Sequence, residues 1–406
     1  MARRAGAAYT SEVMQQSLPK LLYIGDVPVE SSYHGSMLLY RLLEGYPTDK
    51  LLILEPTAAR PSPSRRLQNV KYVSFWIGWP RLLHSRFARM YGSIVVRRSP
   101  KQYRKISRLI RDFQPQAVLT VTHGYSWLTA ATFAERNRLP LHLILHDDWL
   151  VSLVTSPLVK SWAEKMFRHF YRAAASRLCV SPSMEETYHK RYGVRGTVLY
   201  PSRAKDCGVV SAPVVRSRES RAGLVFAYAG SVNYEAYGDL LRSLAETLDK
   251  SRSQLVIFGP VTESKATAFG LRRSNIRLGG LLPSAQLIKR LKNEADVMFL
   301  PMSFEPQDRQ NMEISFPSKL TDYTLTGLPL LIVGPNYCSA VRWAKENLGV
   351  AEVVESLDSG LLQAAVDRLV ASAAYRQRLA SRALEAGRTY FSYETAQAIL
   401  LSALSS

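Results

Sequence analysis

An α/β protein of two domains is predicted by three features of this 406-residue sequence. Short apolar runs alternate with longer segments of helical period, which is the pattern of repeated βα units. The apolar runs are continuous, as in strands that are buried on both faces of a parallel sheet. The chain is also longer than one compact core usually organises, and it suits two domains of roughly 150–200 residues each. We therefore expect two Rossmann-like domains, each with a parallel sheet between helices.

The predicted strands are apolar runs of four to six residues that are rich in Val, Ile and Leu. In the first half they are 20–24, 50–54, 71–75, 117–122, 141–145, 177–181 and 197–200. In the second half they are 224–229, 254–258, 275–278, 296–300, 329–333 and 351–354. Helices are predicted between them, at 37–43, 101–113, 127–136, 284–293 and 361–371.

The βα pattern breaks in a polar stretch near the middle of the chain, which divides the predicted domains. We expect an N-terminal domain over 1–202, a linker over 203–220, a C-terminal domain over 221–385 and a C-terminal helical segment over 386–406. Within that last segment the helix is predicted over 393–404, with Ser392 as its N-cap.

The composition predicts an ordered protein of a reducing compartment. Apolar residues make up 47% of the chain and charged residues 21%, an ordinary globular balance. The three cysteines are widely spaced and form no CxxC pair, so neither a disulfide framework nor a zinc site is expected from them. The N-terminus lacks the apolar stretch of a signal peptide, and no run approaches the roughly 20 apolar residues that cross a bilayer. A cytoplasmic location is therefore expected.

The net charge of +20 is concentrated in one part of the first half. Residues 1–200 hold 29 Lys and Arg against 13 Asp and Glu, and residues 56–111 hold 14 basic residues and no carboxylate. Such a field attracts polyanions. Over 76–111 the basic residues are interleaved with Trp, Phe and Tyr, which favours peripheral attachment to an anionic membrane leaflet. A solvated basic face and a nucleic-acid surface are the alternatives, and no nucleic-acid motif supports the second.

Glycines and small polar residues follow several predicted strands of the second half, where ligands bind in parallel α/β sheets. They are Gly230, Ser231 and Gly259. The loop after the fourth of these strands, 296–300, ends in a predicted helix start that contains Ser315, Pro317, Ser318, Lys319, Leu320 and Asp322. Pro317 suits the first turn of a helix. The free amides after it, with the Lys319 charge, would face an anion, and Asp322 could accept hydrogen bonds from ribose hydroxyls. A capped surface helix is the other interpretation.

At these residues the sequence resembles the GT-B-fold glycosyltransferases of the retaining group 1, glycogen-synthase-like family. The segment 316–333, FPSKLTDYTLTGLPLLIV, is similar to that family's helix start followed by an acidic residue, Gly-x-Pro and a strand. LILHDDW at 143–149, LCVSPSMEETYHKRYGV at 178–194, VLYPS at 198–202, YAGSV at 228–232 and VIFG at 256–259 extend the resemblance in order along the chain.

The resemblance implies a two-domain enzyme whose Rossmann-like domains face a cleft, with the C-terminal helix packing back toward the N-domain. The C-domain would hold a nucleotide-diphosphate sugar and the N-domain a glycan or lipid-linked acceptor at the inner face of the membrane. It implies transfer without a metal or another cofactor. Two departures stand out: Ile314 occupies the position of a family carboxylate eight residues before Asp322, with Glu313 beside it. Asn233, Tyr234 and Glu235 stand where a basic pair often follows the Gly-Ser strand end.

In the first half, the resemblance points to residues that follow two strands. Gly35 precedes a predicted helix, and its loop would reach the donor phosphate, although a Gly-Ser pair there is also an ordinary helix cap. His146 and Asp147 are the candidate catalytic residues: the imidazole could hydrogen-bond hydroxyls of the transferred sugar, and Asp147 could orient it. We expect one of Asp147 and Asp148 to cap the next helix. His123 has the weaker claim, and a non-catalytic scaffold of the same fold is the alternative function.

Overall fold

The computed structural model describes residues 18–31, 34–57, 62–83, 85–207, 210–216, 223–232 and 235–405. The chain divides into two compact units. The N-terminal unit comprises Met1–Pro201 and Tyr393–Ser406, and the C-terminal unit comprises Ser202–Ser392. Each described unit is built around its own parallel sheet.

The sheet of the N-terminal unit has seven parallel strands in the order β3-β2-β1-β4-β5-β6-β7. Their bounds are β1 Leu21–Ile24, β2 Leu51–Pro56, β3 Lys71–Phe75, β4 Ala117–Val121, β5 Leu141–Leu145, β6 Ser176–Cys179 and β7 Thr197–Val198. The central strand β1 pairs on both sides, since Leu21 is in register with Leu51 and with Ala117. Its four residues are all buried, as a strand covered by helices on both faces requires.

The sheet of the C-terminal unit has six parallel strands in the order β10-β9-β8-β11-β12-β13. Their bounds are β8 Val225–Ala229, β9 Gln254–Phe258, β10 Ile276–Gly280, β11 Val297–Pro301, β12 Leu330–Val333 and β13 Glu352–Val354. Every one of the thirteen strands in the described residues overlaps a run that the sequence predicted. The predicted α/β class with two Rossmann-like domains is therefore confirmed.

The α-helices lie mainly between successive strands, as βα repetition requires. In the N-terminal unit they are His34–Leu43, Pro80–Leu83, Ala88–Arg98, Tyr103–Leu109, Ser126–Asn137, Trp149–Ser152, Pro157–Ala173, Pro182–Tyr192 and Tyr393–Leu404. In the C-terminal unit they are Glu235–Asp249, Glu263–Ala268, Ser284–Glu294, Arg309–Ile314, Ser318–Tyr323, Ser339–Glu346, Ser359–Ala371 and Ala373–Phe391. No described helix has both the length and the apolar character of a membrane span.

The unit division differs in detail from the predicted domain boundaries. The N-terminal unit ends at Pro201, and the described part of the predicted linker belongs to the C-terminal unit. Helix Ala373–Phe391 runs through the predicted boundary at 385, because its apolar residues remain buried along its whole length. Helix Tyr393–Leu404 returns to the N-terminal unit, where Gln397 donates to the carbonyl oxygen of Leu42 at 2.8 Å. Its packing against the N-domain is as expected.

Candidate functional site

The strand order of each sheet reverses beside its first strand. In the N-terminal unit β1 lies between β2 and β4, and in the C-terminal unit β8 lies between β9 and β11. In open parallel sheets, ligands bind beyond the carboxyl ends of the strands at such a switch point, because the two connections leave in opposite directions and open a crevice. The segments that follow these strands therefore form two candidate sites, one in each unit.

The C-terminal site is formed where helix Ser318–Tyr323 begins beside the end of β8. The side chain of Lys319 lies across Gly230, the residue that follows β8. A Cβ atom at position 230 would stand 2.1 Å from Lys319 Cε and 3.1 Å from its Nζ. A residue without a side chain is therefore needed for the lysine to reach this position.

The ammonium group of Lys319 has aromatic neighbours and no anionic one among the described residues. Its Nζ lies 5.7 Å from the ring centroid of Tyr228 and 5.9 Å from that of Tyr237, within cation–π range. Burial lowers the pKa of Lys319, because a charge removed from water is disfavoured. The site therefore holds a cation that the described residues do not neutralise, which is an arrangement suited to an anionic ligand.

The helix start offers fewer free amides than the sequence predicted. Pro317 stands at the N-cap position and the helix begins at Ser318, one residue later than expected. The amide of Leu320 donates to the carbonyl oxygen of Pro317 at 3.0 Å, so it is not available to a ligand. The amides of Ser318 and Lys319 have no acceptor among the described residues. Two of the three expected amides can thus face an anion, since the tight first turn uses the third.

Two side chains that the sequence analysis did not single out hold this helix in place. The Tyr323 hydroxyl accepts from the Ala229 amide at 2.8 Å and donates to the carbonyl oxygen of the same residue at 3.1 Å. Arg203 is buried and donates to the hydroxyl of Thr324 at 3.1 Å. Gly387 leaves the room for it, because a Cβ atom there would lie 2.0 Å from the guanidinium. Long-range contacts of this kind leave no local pattern in a sequence.

The remaining predicted residues of this site have structural partners of their own. The Ser315 hydroxyl donates to Asn311 Oδ1 at 2.6 Å. The carbonyl oxygen of Ser231 accepts from the Tyr228 hydroxyl at 2.8 Å. A Cβ atom at Gly259 would lie 2.1 Å from the carbonyl oxygen of Gly230, so close packing of two strand ends requires that glycine.

The acidic positions of the loop differ in exposure. Burial lowers the pKa of Arg203, and the charge of the partly buried Asp322 acts in the opposite direction. Ile314 is buried, at 3% exposure, so that position is part of the core. The side chain of Glu313 is 40% exposed and lies 3.9 Å from Arg309. Glu313 and Ile314 belong to helix Arg309–Ile314. The sequence predicted a loop there, because the polar segment shows no apolar period. Asn233 and Tyr234 lie outside the described residues.

The N-terminal site contains His146 and Asp147, which follow β5, and His123, which follows β4. His146 Nε2 lies 3.4 Å from His123 Nδ1 and 3.4 Å from Asp147 Oδ2. The His146 side chain is only 12% exposed, whereas that of Asp147 is 43% exposed. The structure thus brings the two predicted catalytic residues together and adds His123 to them.

Burial lowers the pKa of His146 to about 4, with the charge of Asp147 acting in the opposite direction and His123 adding to the lowering. The imidazole is therefore neutral at physiological pH and can both donate and accept a hydrogen bond. Gly35 lies against this ring, since a Cβ atom there would stand 2.5 Å from His146 Cε1. The sequence predicted Gly35 in a loop before the helix, whereas it lies in the first turn of helix His34–Leu43.

Of the two neighbouring carboxylates, Asp148 is the one that caps the next helix. Its Oδ1 accepts from the Leu150 amide at 3.2 Å, and its Oδ2 accepts from Arg191 at 2.8 Å. Asp148 is buried, so Asp147 is left for the site. One local motif therefore supplies a cap and a candidate ligand group from adjacent residues, as the sequence predicted.

Asp26 is a residue of the candidate N-terminal site that the sequence analysis did not identify. It follows β1 at the switch point and accepts from the amides of Tyr125 and Ser126 at 2.5 and 2.6 Å, and from the Ser126 hydroxyl at 2.8 Å. Burial raises the pKa of Asp26, and these hydrogen bonds and the charge of His123 act against that rise. The carboxylate thus fixes the loop that carries His123. The signal was present, since Gly25-Asp26 follows β1 as Gly230-Ser231 follows β8.

Residues 54–202 of the chain match the sequence model of Glycosyltransferase Family 4. None of the curated proteins matches the chain. Among solved structures, HepE of Anabaena in complex with UDP and glucose is similar with a TM-score of 0.65 and 14% identity, over 96% of this chain and 100% of that chain. An α,α-trehalose 6-phosphate synthase of Burkholderia multivorans is similar with a TM-score of 0.63 and 13% identity, over 95% and 97%. The sucrose-phosphate synthase of Thermosynechococcus elongatus is similar with a TM-score of 0.63 and 13% identity, over 94% and 97%.

The family match covers most of the N-terminal unit, and the shared fold covers nearly the whole chain. The resemblance that the sequence indicated is confirmed to this extent: residues 54–202 match Glycosyltransferase Family 4, and nearly the whole chain shares the GT-B fold of these structures.

Proposed function

We propose that this enzyme transfers a sugar from a nucleotide-diphosphate sugar to a glycan or lipid-linked acceptor, with retention of configuration. The observation that carries the proposal is Lys319, a partly buried cation with no anionic partner among the described residues. It lies at a helix start beside the switch-point strand β8, with two amides that have no acceptor among the described residues. A diphosphate supplies the negative charge that such a site lacks.

In this proposal Lys319 and the amides of Ser318 and Lys319 hold the diphosphate, and Asp322 accepts hydrogen bonds from the ribose hydroxyls. A mobile lysine charge and oriented amides stabilise a departing diphosphate, so no metal ion is needed at this position. The HepE structures are complexes with UDP, with UDP and glucose, and with UDP-glucose, which makes UDP the first nucleotide to try.

The proposed transfer breaks the bond between the anomeric carbon and the diphosphate oxygen and forms a bond from that carbon to an acceptor hydroxyl oxygen. The acceptor proton passes to the departing phosphate, so no strong protein base is required. The neutral imidazole of His146 hydrogen-bonds a hydroxyl of the transferred sugar, and Asp147 orients it. The rate would come mainly from placing the two sugars and from stabilising the diphosphate charge.

Nucleotide binding tests this proposal directly. Thermal-shift and calorimetric measurements with UDP, GDP, ADP and their sugars should identify one nucleotide class that binds. Lys319→Ala should then weaken binding of that nucleoside diphosphate by about 10- to 100-fold, the effect of losing one charge-assisted hydrogen bond of 1.5–3 kcal/mol. The exposed Lys250, at the end of helix Glu235–Asp249, provides the control Lys250→Ala, which should bind normally. Absence of binding to every nucleotide sugar would refute the donor assignment.

We further propose that the enzyme works at the cytoplasmic face of a membrane, which it reaches through residues 76–111. Several large apolar side chains of this region are exposed, among them Trp79 and Met90 at 62% each. Ten basic residues of the same region are also exposed: Arg81, Arg86, Arg89, Arg97, Arg98, Lys101, Arg104, Lys105, Arg108 and Arg111. Within the described part of the chain, none of them lies within ion-pair distance of a carboxylate. Exposed aromatic groups beside unneutralised cations suit an anionic lipid surface.

Vesicle flotation separates membrane binding from its alternatives. The protein should float with vesicles that contain anionic lipid and remain behind with neutral vesicles, and salt should weaken the association. Trp79→Ala should reduce flotation, whereas Leu348→Ala, which alters a residue of the C-terminal unit that is 77% exposed, should not. Equal flotation with both vesicle types would contradict the electrostatic argument. Salt-dependent oligonucleotide binding without flotation would favour the nucleic-acid alternative.

A non-catalytic scaffold is the second candidate function, and the burial of Ile314 at the position of a family carboxylate favours it. It predicts no sugar transfer and no donor hydrolysis. Any turnover of a nucleotide sugar that Lys319→Ala abolishes would eliminate it.

A further inference from the structure

We propose that His123, His146 and Asp147 form a binding site for a divalent transition-metal ion, with Zn²⁺ as the expected ion. One ligand atom from each side chain lies within 4.8 Å of the other two. Two imidazole nitrogens and a carboxylate oxygen are donors that Zn²⁺ prefers, whereas Mg²⁺ and Ca²⁺ prefer oxygen ligands alone. The site lies in the N-terminal unit, whereas the diphosphate site proposed above lies in the C-terminal unit.

The separations between the ligand atoms match a tetrahedral ion. Zn–N and Zn–O bonds of about 2.0–2.1 Å at tetrahedral angles place neighbouring ligand atoms about 3.3 Å apart. His146 Nε2 lies 3.4 Å from His123 Nδ1 and 3.4 Å from Asp147 Oδ2. The third separation, between the ligand atoms of His123 and Asp147, is at most 4.8 Å, and a rotation of the 43% exposed Asp147 side chain can shorten it. These three ligands leave a fourth position for water.

Hydrogen bonding alone leaves this cluster incompletely satisfied. A single proton on His146 Nε2 can be donated to His123 or to Asp147, but not fully to both, and both separations are long for a hydrogen bond. An ion placed between the three groups would interact with all of them at once.

The backbone around the cluster is fixed by the sheet. His146 follows the end of β5 directly, and His123 lies two residues after the end of β4. These two strands are neighbours, with Val121 in register with Ile144. Asp26 holds the turn after His123 through the Tyr125 amide. Ligands on rigid elements need little reorganisation to bind an ion, which favours affinity.

Binding of the ion would have a consequence for the enzyme, and this step alone rests on the proposed function. The lone pair of His146 Nε2 that takes the metal is then unavailable to a sugar hydroxyl. Zn²⁺ and the donor sugar would therefore compete for His146, and Zn²⁺ would inhibit transfer without acting as a cofactor.

Direct metal binding tests the site without reference to activity. Metal-free protein, prepared with a chelator, is titrated with Zn²⁺ by calorimetry and with Co²⁺ by visible absorption. We expect one ion per chain and the intense visible bands of tetrahedral Co²⁺, which Zn²⁺ removes. His123→Ala should weaken Zn²⁺ affinity by at least about 10- to 100-fold, the loss already seen when only an outer partner of a metal ligand is removed.

The matched control is His169→Ala, because His169 is an exposed histidine 2.6 Å from Glu135 and offers only a two-residue pair. Its Zn²⁺ affinity should be unchanged. Absence of stoichiometric binding, octahedral Co²⁺ bands, or equal weakening in His169→Ala and His123→Ala would overturn the proposal. If His123→Ala fails to fold, Asp147→Asn keeps the test available, since its side chain is largely exposed. If the protein bound no nucleotide, the proposed donor site would fail, but the Zn²⁺ titration would still test the metal site.

Discussion

Substitution of Gly230 by alanine should impair the C-terminal site through Lys319, although Lys319 lies far away in the sequence. The added Cβ atom would stand 2.1 Å from Lys319 Cε, whereas two carbon atoms in contact are about 3.5–4.0 Å apart. The end of the lysine side chain must therefore retreat by about 1.5 Å. The lysine has no ion pair to a described residue, so its side chain can retreat. The φ of +158° at Gly230, which residues with a side chain rarely adopt, adds a separate cost to the stability of the variant.

The displaced ammonium group would lose most of its contact with a bound diphosphate. That contact is worth about 1.5–3 kcal/mol, so Gly230→Ala should weaken nucleotide binding by about 10- to 100-fold, as much as Lys319→Ala. The assay is isothermal calorimetry with the nucleoside diphosphate that gives the largest thermal shift. Lys250→Ala serves as the control for loss of a positive charge elsewhere in the unit.

The double substitution decides whether the two residues act together. If Gly230→Ala acts by moving Lys319, it should have little further effect in the Lys319→Ala protein, and the two losses should be strongly non-additive. Additive losses would mean that the methyl group disturbs the site in another way. Unchanged affinity in Gly230→Ala would refute the placement of the lysine in the anion site.

Three further predictions concern stability. His146→Asn should reduce the pH dependence of the stability of the N-terminal unit. The folded-state pKa of His146 is about 4, below the value of about 6.5 in an unfolded chain. The neutral imidazole therefore contributes stability that is present above pH 6.5 and is lost as the pH falls toward 4. The free energy of unfolding, measured by hydrogen exchange of β1 and β4 with chelator present, should fall between pH 7 and pH 5 by about 2 kcal/mol less in the variant than in the wild type. An equal fall in both proteins would contradict the lowered pKa. Asp26→Asn should cost about 2–3 kcal/mol in the same measurement because a carboxylate that accepts three hydrogen bonds is lost, with the exposed Asp112→Asn as a neutral control. Gly387→Ala should cost about 1–3 kcal/mol in urea unfolding of the C-terminal unit, since its methyl group would lie 2.0 Å from the buried guanidinium of Arg203; wild-type stability would contradict the tight packing.

The strands and much of the fold class could be predicted because their signal is local. A continuous apolar run such as 141–145 must be buried on both faces, and β5 occupies those same residues. The cap at Asp148 was equally local, since a short acidic side chain can accept from amides of its own first turn. The helix Arg309–Ile314 escaped prediction because its burial comes from Met312 and Ile314 alone, without a repeated apolar face.

Residues that act across the sheet could not be predicted from any local pattern. Asp26 accepts from amides about one hundred positions later in the chain, and Arg203 donates to Thr324, 121 positions away. The contact of Asp26 depends on strand order, which sets β1 beside β4. A hydrogen bond between distant residues is decided by which strands are neighbours, and the sequence of either segment alone does not contain that information.

The sequence by itself determined that the chain forms two parallel α/β domains and that the region around Lys319 begins a helix after a strand. Only the tertiary structure decided that Lys319 crosses Gly230, that one expected amide is used by Pro317, and that His123 joins His146. The physical reason is that local burial and capping depend on neighbours in the chain. The charge and the free hydrogen-bonding groups of a site depend on neighbours in space.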